Sequence, residues 1–301
     1  MWTNFNIIKE KNTFANILSG DLRISILSNC NMQCVYCHSE GSKSEHKLSV
    51  ADTVFIVERA LPYGVKQLRI TGGEPLLHPE ITEICRAIKK QFPKLNIGIN
   101  TNGILIEKIK ELIEKDLVNR IVVGIDLFAS RVSKNSPTGE PSQKILENIE
   151  FIKRSRCTVE VDAVYNDDYH NILCLAQWCL KKKIRIKILE LINDEHANTP
   201  SASYVDMIKN LAKDLALKIG INNAFGDLFG EYTNNTEISF FHSLCRTKEC
   251  FKCARMHMRV TSDGYARPCL KNNKTIYPLL DGNFDNNMRK AIYSQGTPPE
   301  L

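Results

Sequence analysis

The chain has 301 residues, 43% of them hydrophobic and 25% charged, with a formal net charge of +6. These values are typical of a globular protein that buries a core without disulfide staples, and no run approaches the roughly 20 apolar residues of a membrane span. The first 20 residues mix charged and apolar types, so we expect neither signal peptide nor anchor, and a cytoplasmic protein. The densest basic group, 181–187, is typical of a helix end leading into a strand, and we expect no nucleic-acid partner.

Strand-like and helix-like segments alternate along the first two thirds of the chain. The predicted strands are 22–27, 67–71, 96–100, 120–126, 158–165 and 184–192. The predicted helices between them are 49–64, 79–92, 105–116, 143–155 and 169–183. Such alternation favours a parallel sheet with helices outside, either a doubly wound sheet or a barrel.

The alternation is predicted to end after one more helix-like segment, 201–220, because residues 221–237 are polar and rich in turn formers. We therefore divide the chain into four predicted parts. They are an N-terminal arm (1–20), the α/β unit (21–195), a helix and connector (196–239) and a small cysteine-bearing region (240–301).

Eleven cysteines are the main anomaly of the composition. Disulfides are rare in reducing compartments, so clustered cysteines there more often bind metal or carry out chemistry. Seven lie in two groups: Cys30, Cys34 and Cys37, and then Cys245, Cys250, Cys253 and Cys269. The other four are predicted to be small buried apolar residues: Cys85, Cys157, Cys174 and Cys179.

The first group has the spacing Cys30-x3-Cys34-x2-Cys37. Structural zinc needs four ligands, usually in two pairs, and a redox Cys-x-x-Cys motif does not need a third cysteine. Three thiolates on a cubane iron–sulfur cluster would leave one iron open for chemistry. The pattern favours an iron–sulfur cluster, with zinc and a purely structural role as the alternatives.

This spacing, with Tyr36 directly before the last cysteine, resembles the signature of radical S-adenosylmethionine (radical SAM) enzymes. The turns TGGEP (71–75) and NTNG (100–103) follow the second and third predicted strands, as in that family. The resemblance covers about 22–192 and implies an α/β fold, a partial (β/α)6 TIM-type barrel, with SAM and a 4Fe–4S cluster on Cys30, Cys34 and Cys37. It implies a set of cofactor-binding residues: Tyr36, Gly72, Gly73, Glu74, Pro75, Asn100, Thr101 and Asn102.

These residue types suit the chemistry that the resemblance implies. Gly72 and Gly73 permit close backbone approach, and Glu74 supplies a carboxylate for an α-ammonium group. Asp126, at the end of the fourth predicted strand, has the position to bind SAM ribose hydroxyls or substrate, and a loop cap is the alternative. Glu190, at the end of the sixth, has the same standing.

The second group, Cys250-x2-Cys253 with Cys269, resembles the auxiliary-cluster element (twitch) of some radical SAM enzymes. The interval before Cys269 reads as a hairpin that turns at 262–264. We expect a second 4Fe–4S cluster that faces the first across the barrel mouth, with zinc as the alternative. Cys245 is a candidate fourth ligand; without it, an open iron could bind substrate.

The C-terminal stretch around 251–270 also resembles the GTP 3',8-cyclase family, which implies that Arg69 and Arg259 bind substrate. The chain departs from that family's cationic pattern at Gln67, Glu160, Lys187 and His257. We therefore expect a radical SAM enzyme that acts on a small molecule such as a nucleotide, sugar or cofactor precursor, with an electron donor such as flavodoxin or ferredoxin. The alternatives are GTP 3',8-cyclase activity, modification of a peptide substrate, and a non-enzymatic zinc-binding module.

Overall fold

A computed structural model describes residues 9–11, 21–32, 34, 36–37, 45–125, 143–191, 200–222, 227–242, 257–269 and 276–294. The helices are α1 (Val50–Ala60), α2 (Ile81–Gln91), α3 (Ile106–Glu114), α4 (Gln143–Lys153), α5 (Tyr169–Lys181), α6 (Ala202–Asp214) and α7 (Phe284–Ser294). Two 3-10 turns cover Leu61–Tyr63 and Pro75–Leu77. The strands before α6 are β1 (Lys9–Lys11), β2 (Asp21–Ser25), β3 (Gln67–Thr71), β4 (Asn96–Thr101), β5 (Arg120–Ile125), β6 (Thr158–Tyr165) and β7 (Arg185–Glu190). Those after it are β8 (Lys218–Asn222), β9 (Asp227–Glu231), β10 (Glu237–Phe241), β11 (His257–Val260), β12 (Tyr265–Arg267) and β13 (Tyr277–Pro278).

The strands of the described residues form one sheet in the order β1-β8-β9-β10-β7-β6-β5-β4-β3-β2-β11-β12-β13. Every neighbouring pair of strands is parallel along the run β10-β7-β6-β5-β4-β3-β2-β11. The six strands predicted for the α/β unit are β2 to β7, and they lie side by side in chain order. The predicted α/β fold with a parallel sheet is confirmed.

The two faces of the parallel strands have opposite character. In β3, Leu68 and Ile70 are buried under the helices, while Gln67, Arg69 and Thr71 on the other face are half-buried. Because side chains alternate across a strand, one face carries the apolar core and the other lines the concave side of the sheet. The polar, concave face is therefore the place for a ligand.

The sequence-based prediction of a helix over 201–220 is wrong in its second half. The helix ends at Asp214, and Lys218–Asn222 forms a strand that pairs with β9. The apolar residues Leu217, Ile219 and Ile221 alternate with Lys218 and Gly220, which is the period of a strand rather than of a helix. The polar stretch that follows also contains β9 and the first residue of β10, which the turn-rich composition concealed.

The C-terminal region extends the same sheet instead of standing beside it. Strand β11 pairs with β2 in parallel, and β12 returns antiparallel to β11, so the predicted hairpin is confirmed. Helix α7 then packs on α1, where Phe284 meets Phe55 edge-on with ring centroids 5.8 Å apart. The proposed domain boundaries stay predictions. In the described part of the chain, no helix is both long and apolar enough to cross a membrane.

Candidate active site

The first cysteine group follows β2, at the carboxyl edge of the parallel strands. Cys30 and Cys37 are exposed and Cys34 is half-buried. The loop turns on itself through a hydrogen bond from Cys37 N to Cys34 O (3.1 Å). Burial raises the pKa of the Cys30 thiol, and the neighbouring Glu74 and Cys37 add to that rise. Two of the thiols are therefore close enough to interact electrostatically.

The arrangement of these thiols bears on which metal centre they suit. In the described residues, no group of three or more His, Cys, Asp or Glu side chains is arranged to hold a single metal ion. A zinc site needs its ligands to converge on one ion, whereas a cubane cluster carries its cysteines on different irons. Three thiols in one loop, with a turn that brings Cys37 next to Cys34, suit the separate irons of a cubane cluster.

The glycine pair of the TGGEP turn lets this cysteine loop lie against the end of β3. Gly73 N donates to Leu27 O (2.9 Å), and Glu74 N donates to Asn29 O (2.8 Å). A Cβ on Gly73 would stand 2.1 Å from Asn29 O, and one on Gly72 would stand 2.4 Å from Leu27 O. The predicted close backbone approach is present, and its partner in the described structure is the cysteine loop itself.

The Glu74 carboxylate is 1% exposed and joins the ends of β3 and β4. Its Oε1 accepts hydrogen bonds from Thr101 Oγ1 (2.7 Å) and Leu76 N (3.1 Å), and its Oε2 accepts one from Asn102 N (2.8 Å). Burial raises the pKa of this carboxyl, and the three hydrogen bonds oppose the rise. Glu74 therefore fixes the NTNG turn in place.

The remaining residues of the two turns lie around this carboxylate. Asn102 Nδ2 donates to Asn31 Oδ1 (2.7 Å), which ties the NTNG turn to the cysteine loop. Asn100 Oδ1 is buried without a hydrogen-bond partner among the described residues. Pro75 is buried and begins the 3-10 turn after β3, and Tyr36 is half-buried beside Cys37. Asn100 thus offers an acceptor that the described protein atoms do not use.

Four arginines lie in register across four adjacent strands on the concave face. Arg69 on β3 pairs with Arg23 on β2, Arg23 pairs with Arg259 on β11, and Arg259 pairs with Arg267 on β12. Arg69 makes an ion pair with Asp21 (3.0 Å). Neighbouring strands are about 4.8 Å apart, and like charges directly opposite one another are destabilising. This arginine row therefore favours an anionic ligand.

A small cavity lies against the same row. Its lining includes Arg23, Arg259 and Arg267, together with the hydroxyl side chains of Ser25, Thr71 and Thr261. Guanidinium and hydroxyl donors around one cavity suit phosphate or carboxylate oxygens. Of the three arginines that line the cavity, the sequence analysis singled out only Arg259. It also singled out Arg69, which lies in the same row but does not line the cavity. Arg23 and Arg267 could have been found from one signal in the sequence, because each is a charged residue at a position of a short strand that faces the concave side of the sheet.

Comparison with known proteins extends the match beyond these motifs. Residues 24–173 match the model of the radical SAM superfamily. The chain is 31% identical over 274 residues to a probable GTP 3',8-cyclase of Methanococcus maripaludis, covering 86% of this chain and 89% of that protein. It is 28% identical over 263 residues to a probable GTP 3',8-cyclase of Methanocaldococcus jannaschii, covering 86% and 87%.

The chain belongs to the radical SAM superfamily. Its fold resembles the crystal structure of Streptococcus suis SuiB bound to S-adenosylmethionine, with a TM-score of 0.65 and 18% identity over 91% of this chain and 68% of that one. It also resembles anSMEcpe with bound AdoMet, with a TM-score of 0.58 and 17% identity over 92% and 81%. At these identities the structures speak for the shared partial barrel fold alone.

As a radical SAM protein, the chain is an enzyme that uses SAM and 4Fe–4S clusters. Several predicted site residues lie outside the described residues: Asp126, Cys245, Cys250 and Cys253. Among the isolated cysteines, Cys85, Cys157 and Cys179 are buried as predicted, while Cys174 is exposed, so that prediction is wrong for Cys174.

The radical SAM motifs and Cys269 lie at opposite edges of the sheet. Arg267 on β12 pairs with Arg259 on β11, and from there the chain runs toward Cys269 antiparallel to β11, in the direction of His257. His257 in turn pairs with Asp21, at the start of β2. Cys30 follows the other end of β2. The expectation that the second cysteine group faces the first across the barrel mouth stays a prediction, because Cys250 and Cys253 lie outside the described residues. The arginine row lies between the two edges.

Glu190, at the end of β7, is 9% exposed and is engaged within the protein. Its Oε1 accepts a hydrogen bond from Ser201 N (2.6 Å), and its Oε2 is bonded to Nδ1 of the buried His242. Glu190 therefore acts as the loop cap that the sequence analysis gave as the alternative to ligand binding. Its partner His242 was not predicted, because His242 follows a different strand, β10.

Proposed function

We propose that this radical SAM enzyme acts on an anionic small molecule that is held by the arginine row, between the SAM edge and Cys269. The observation that carries the proposal is the lateral register of Arg69, Arg23, Arg259 and Arg267. Arginines bind phosphate and carboxylate groups through paired N–H donors. The hydroxyl groups of the adjoining cavity supply further donors.

At the carboxyl edge, we propose that Cys30, Cys34 and Cys37 hold the SAM-binding 4Fe–4S cluster. When bound, that cluster supplies the electron for reductive cleavage of SAM to the 5'-deoxyadenosyl radical. The chain's own task is to hold the cysteine loop at a fixed position, and the hydrogen bonds from Gly73 and Glu74 to that loop support this role.

The residues around the two turns are proposed to bind SAM. The half-buried residues Tyr36, Gly72 and Gly73 and the buried Pro75 lie in or beside the cysteine loop and the TGGEP turn, and Asp126 directly follows the last residue of β5 in the sequence. The Oε2 atom of Glu74 accepts one hydrogen bond, from Asn102 N, and can accept another. The buried, unused Oδ1 of Asn100 supports a contact with a donor of the cofactor. Thr101 is proposed to act indirectly, because its hydroxyl donates a hydrogen bond to the Glu74 carboxylate.

At the opposite edge, Cys250, Cys253 and Cys269 are proposed to hold the second 4Fe–4S cluster, with Cys245 as the candidate fourth ligand. The position of Cys269 at the amino-terminal edge supports a location away from SAM. An electron donor such as flavodoxin or ferredoxin and a cytoplasmic location remain part of the proposal, since thiol-rich sites need a reducing compartment.

GTP is the first substrate to test, because the curated relatives at about 30% identity are named probable GTP 3',8-cyclases. A peptide substrate has no comparable support, because the likeness to SuiB and anSMEcpe concerns the fold. A phosphorylated nucleotide, sugar or cofactor precursor matches the arginine row equally well in charge.

The proposal is tested by binding of inorganic triphosphate and of GTP to the reconstituted chain under anaerobic conditions. We expect Arg259→Gln to weaken both by about tenfold or more, in line with the loss of a charge-assisted contact. The exposed Lys290→Gln is the matched control and should bind like wild type. Equal affinities in all three proteins, or no binding to wild type, would contradict the proposal. Consumption of GTP with SAM and dithionite then decides whether GTP is turned over.

A further inference from the structure

The wall of the concave face opposite the arginine row has a different charge pattern. On β5, β6, β7 and β10, arginines alternate with carboxylates. Glu160 pairs with Arg120 and with Arg185 (3.3 Å), and Arg185 also pairs with Glu237 (3.2 Å). Arg120 and Arg185 thus each have a carboxylate partner, and this wall is mixed in charge.

Asp162 on β6 is the acidic residue of this wall that the ion pairs do not include. Its neighbours Val161 and Ala163 are fully buried toward the helices, so the Asp162 side chain lies on the concave face, where it is half-buried. In the part of the chain that the structure describes, no hydrogen bond or ion pair involves its carboxylate. The Asp162 carboxylate therefore has acceptor positions that the described protein atoms do not use, and water or a ligand can donate to them.

Asp162 lies on the same concave face as the arginine row, and its register partner on β7 is Lys187. Burial raises the pKa of its carboxyl, while Lys187 and, across the concave face, Arg23 and Arg69 oppose that rise. Strands β3 and β6 are three strand spacings apart, which would be about 14 Å in a flat sheet, and the curvature of the partial barrel shortens that distance across its concave face. A ligand on the arginine row can therefore reach Asp162 from the other side.

We infer that Asp162 is a specificity-determining residue that selects substrates carrying a nitrogen donor, an amine or an amidine-like N–H group, in addition to the anionic group. The inference rests on the proposed function, since it places the anion on the arginine row. The substrate is then bipolar: phosphate or carboxylate oxygens meet the arginines, and an N–H group donates to the Asp162 carboxylate.

The competing interpretation is that Asp162 only balances the charge of the arginines. Against it, Asp21 already makes an ion pair with Arg69, whereas Asp162 makes none with the described arginines. Glu160, two residues away on the same face, shows what a balancing carboxylate looks like, because it holds two arginines directly. The two interpretations predict different binding selectivity.

The experiment compares two matched pairs of ligands on the anaerobically reconstituted chain by calorimetry. They are glucosamine 6-phosphate against glucose 6-phosphate, and GTP against ITP, which lacks the exocyclic amine. We expect the amine-bearing member of at least one pair to bind wild type about tenfold or more tightly, as a hydrogen bond to a charged group provides. In Asp162→Asn this preference should fall below about twofold.

Glu160→Gln is the control, because it removes the same charge from the same face of the same strand. It should strengthen anion binding in general and leave the amine preference intact. Anion binding without an amine preference in wild type, or a preference that survives in Asp162→Asn, would overturn the inference while leaving the proposed function standing. Absence of anion binding to wild type would instead refute the proposed function, and the inference with it.

Discussion

Glu74 illustrates how a single residue can organise the cofactor edge of this enzyme. Its buried carboxylate accepts hydrogen bonds from Thr101, Asn102 and Leu76, and its backbone N–H donates to the cysteine loop. Three segments that are distant in sequence are thereby held at fixed relative positions. The motif glutamate has a positioning role that is separate from any contact with SAM.

Replacing Glu74 by glutamine tests that positioning role. The amide would present N–H donors where the protein also presents donors, so at least one hydrogen bond is lost inside the protein. We expect the free energy of unfolding to fall by about 1–3 kcal/mol. Thermal or urea unfolding measures the change, with the exposed Glu83→Gln as the control. Unchanged stability of Glu74→Gln would show that the described hydrogen bonds contribute little.

Gly73→Ala tests the close contact between the TGGEP turn and the cysteine loop. The added Cβ would lie 2.1 Å from Asn29 O, so the backbone of one turn must move. Overpacking of this kind costs about 1–3 kcal/mol, and the displaced loop should retain less iron after reconstitution. Gly124→Ala is the control, because its nearest atom, Thr101 O, is 3.8 Å away. Equal iron content in the two variants would contradict the structural role of Gly73.

The residues of the cofactor edge could be predicted from the sequence, but most of the side chains and backbone groups that they contact could not. The order of the cysteines, TGGEP and NTNG on successive strands placed all three at one edge, because parallel strands end together. The partners of Glu74 could not be predicted, since they depend on the depth of each turn. The arginine row depends on β2 pairing with β11, a contact between residues more than 230 positions apart. Strand periodicity alone does not specify such a register.

At the scale of secondary-structure elements, Glu190 and His242 join the last parallel strands to helix α6. Glu190 ends β7, His242 follows β10, and Ser201 precedes α6. Burial would raise the pKa of Glu190, but the hydrogen bonds from His242 and Ser201 outweigh burial and hold it below its ordinary value of 4.5. The carboxylate form is therefore the one that stabilises this junction.

The lowered pKa predicts how the stability of this junction depends on pH. A carboxyl whose pKa is depressed by folding adds stability above its unfolded pKa and loses it as the pH falls through the folded value. Glu190→Gln should lower the melting temperature near pH 7, and its difference from wild type should shrink below about pH 4.5. The exposed Glu83→Gln should differ little from wild type throughout. A Glu190→Gln difference that stays constant with pH would contradict this assignment.

The elements that the sequence mispredicted, β8, β9 and β10, have two separate causes. Helix α6 and β8 are separated by only three residues, and Ala216 between them has a φ of +49°. A left-handed residue that is not glycine leaves no mark in the sequence, so the helical pattern seemed to continue. Strands β9 and β10 are short and flanked by asparagines. Strand β10 pairs with β7 and β9 pairs with β10, and this pairing supplies the stability that their composition does not indicate.

Over the whole molecule, the parallel sheet separates two chemical regions and places the arginine row between them. The SAM motifs occupy the carboxyl edge, Cys269 lies toward the amino-terminal edge, and the concave face joins the two. This layout predicts that the cysteine groups act on different steps. Loss of Cys253 should leave SAM cleavage largely intact and stop product formation, since we propose that Cys253 holds the second cluster rather than the SAM-binding one.

The most direct test of the whole account is the formation of 5'-deoxyadenosine by the reconstituted chain with SAM and dithionite under anaerobic conditions. The wild-type protein should be brown, contain iron and release 5'-deoxyadenosine; Cys253→Ala should still release it, and Cys34→Ala should release none above background. A colourless protein that contains only zinc, or 5'-deoxyadenosine formation that persists in Cys34→Ala, would contradict the assignment of Cys30, Cys34 and Cys37 as the SAM-cleaving site.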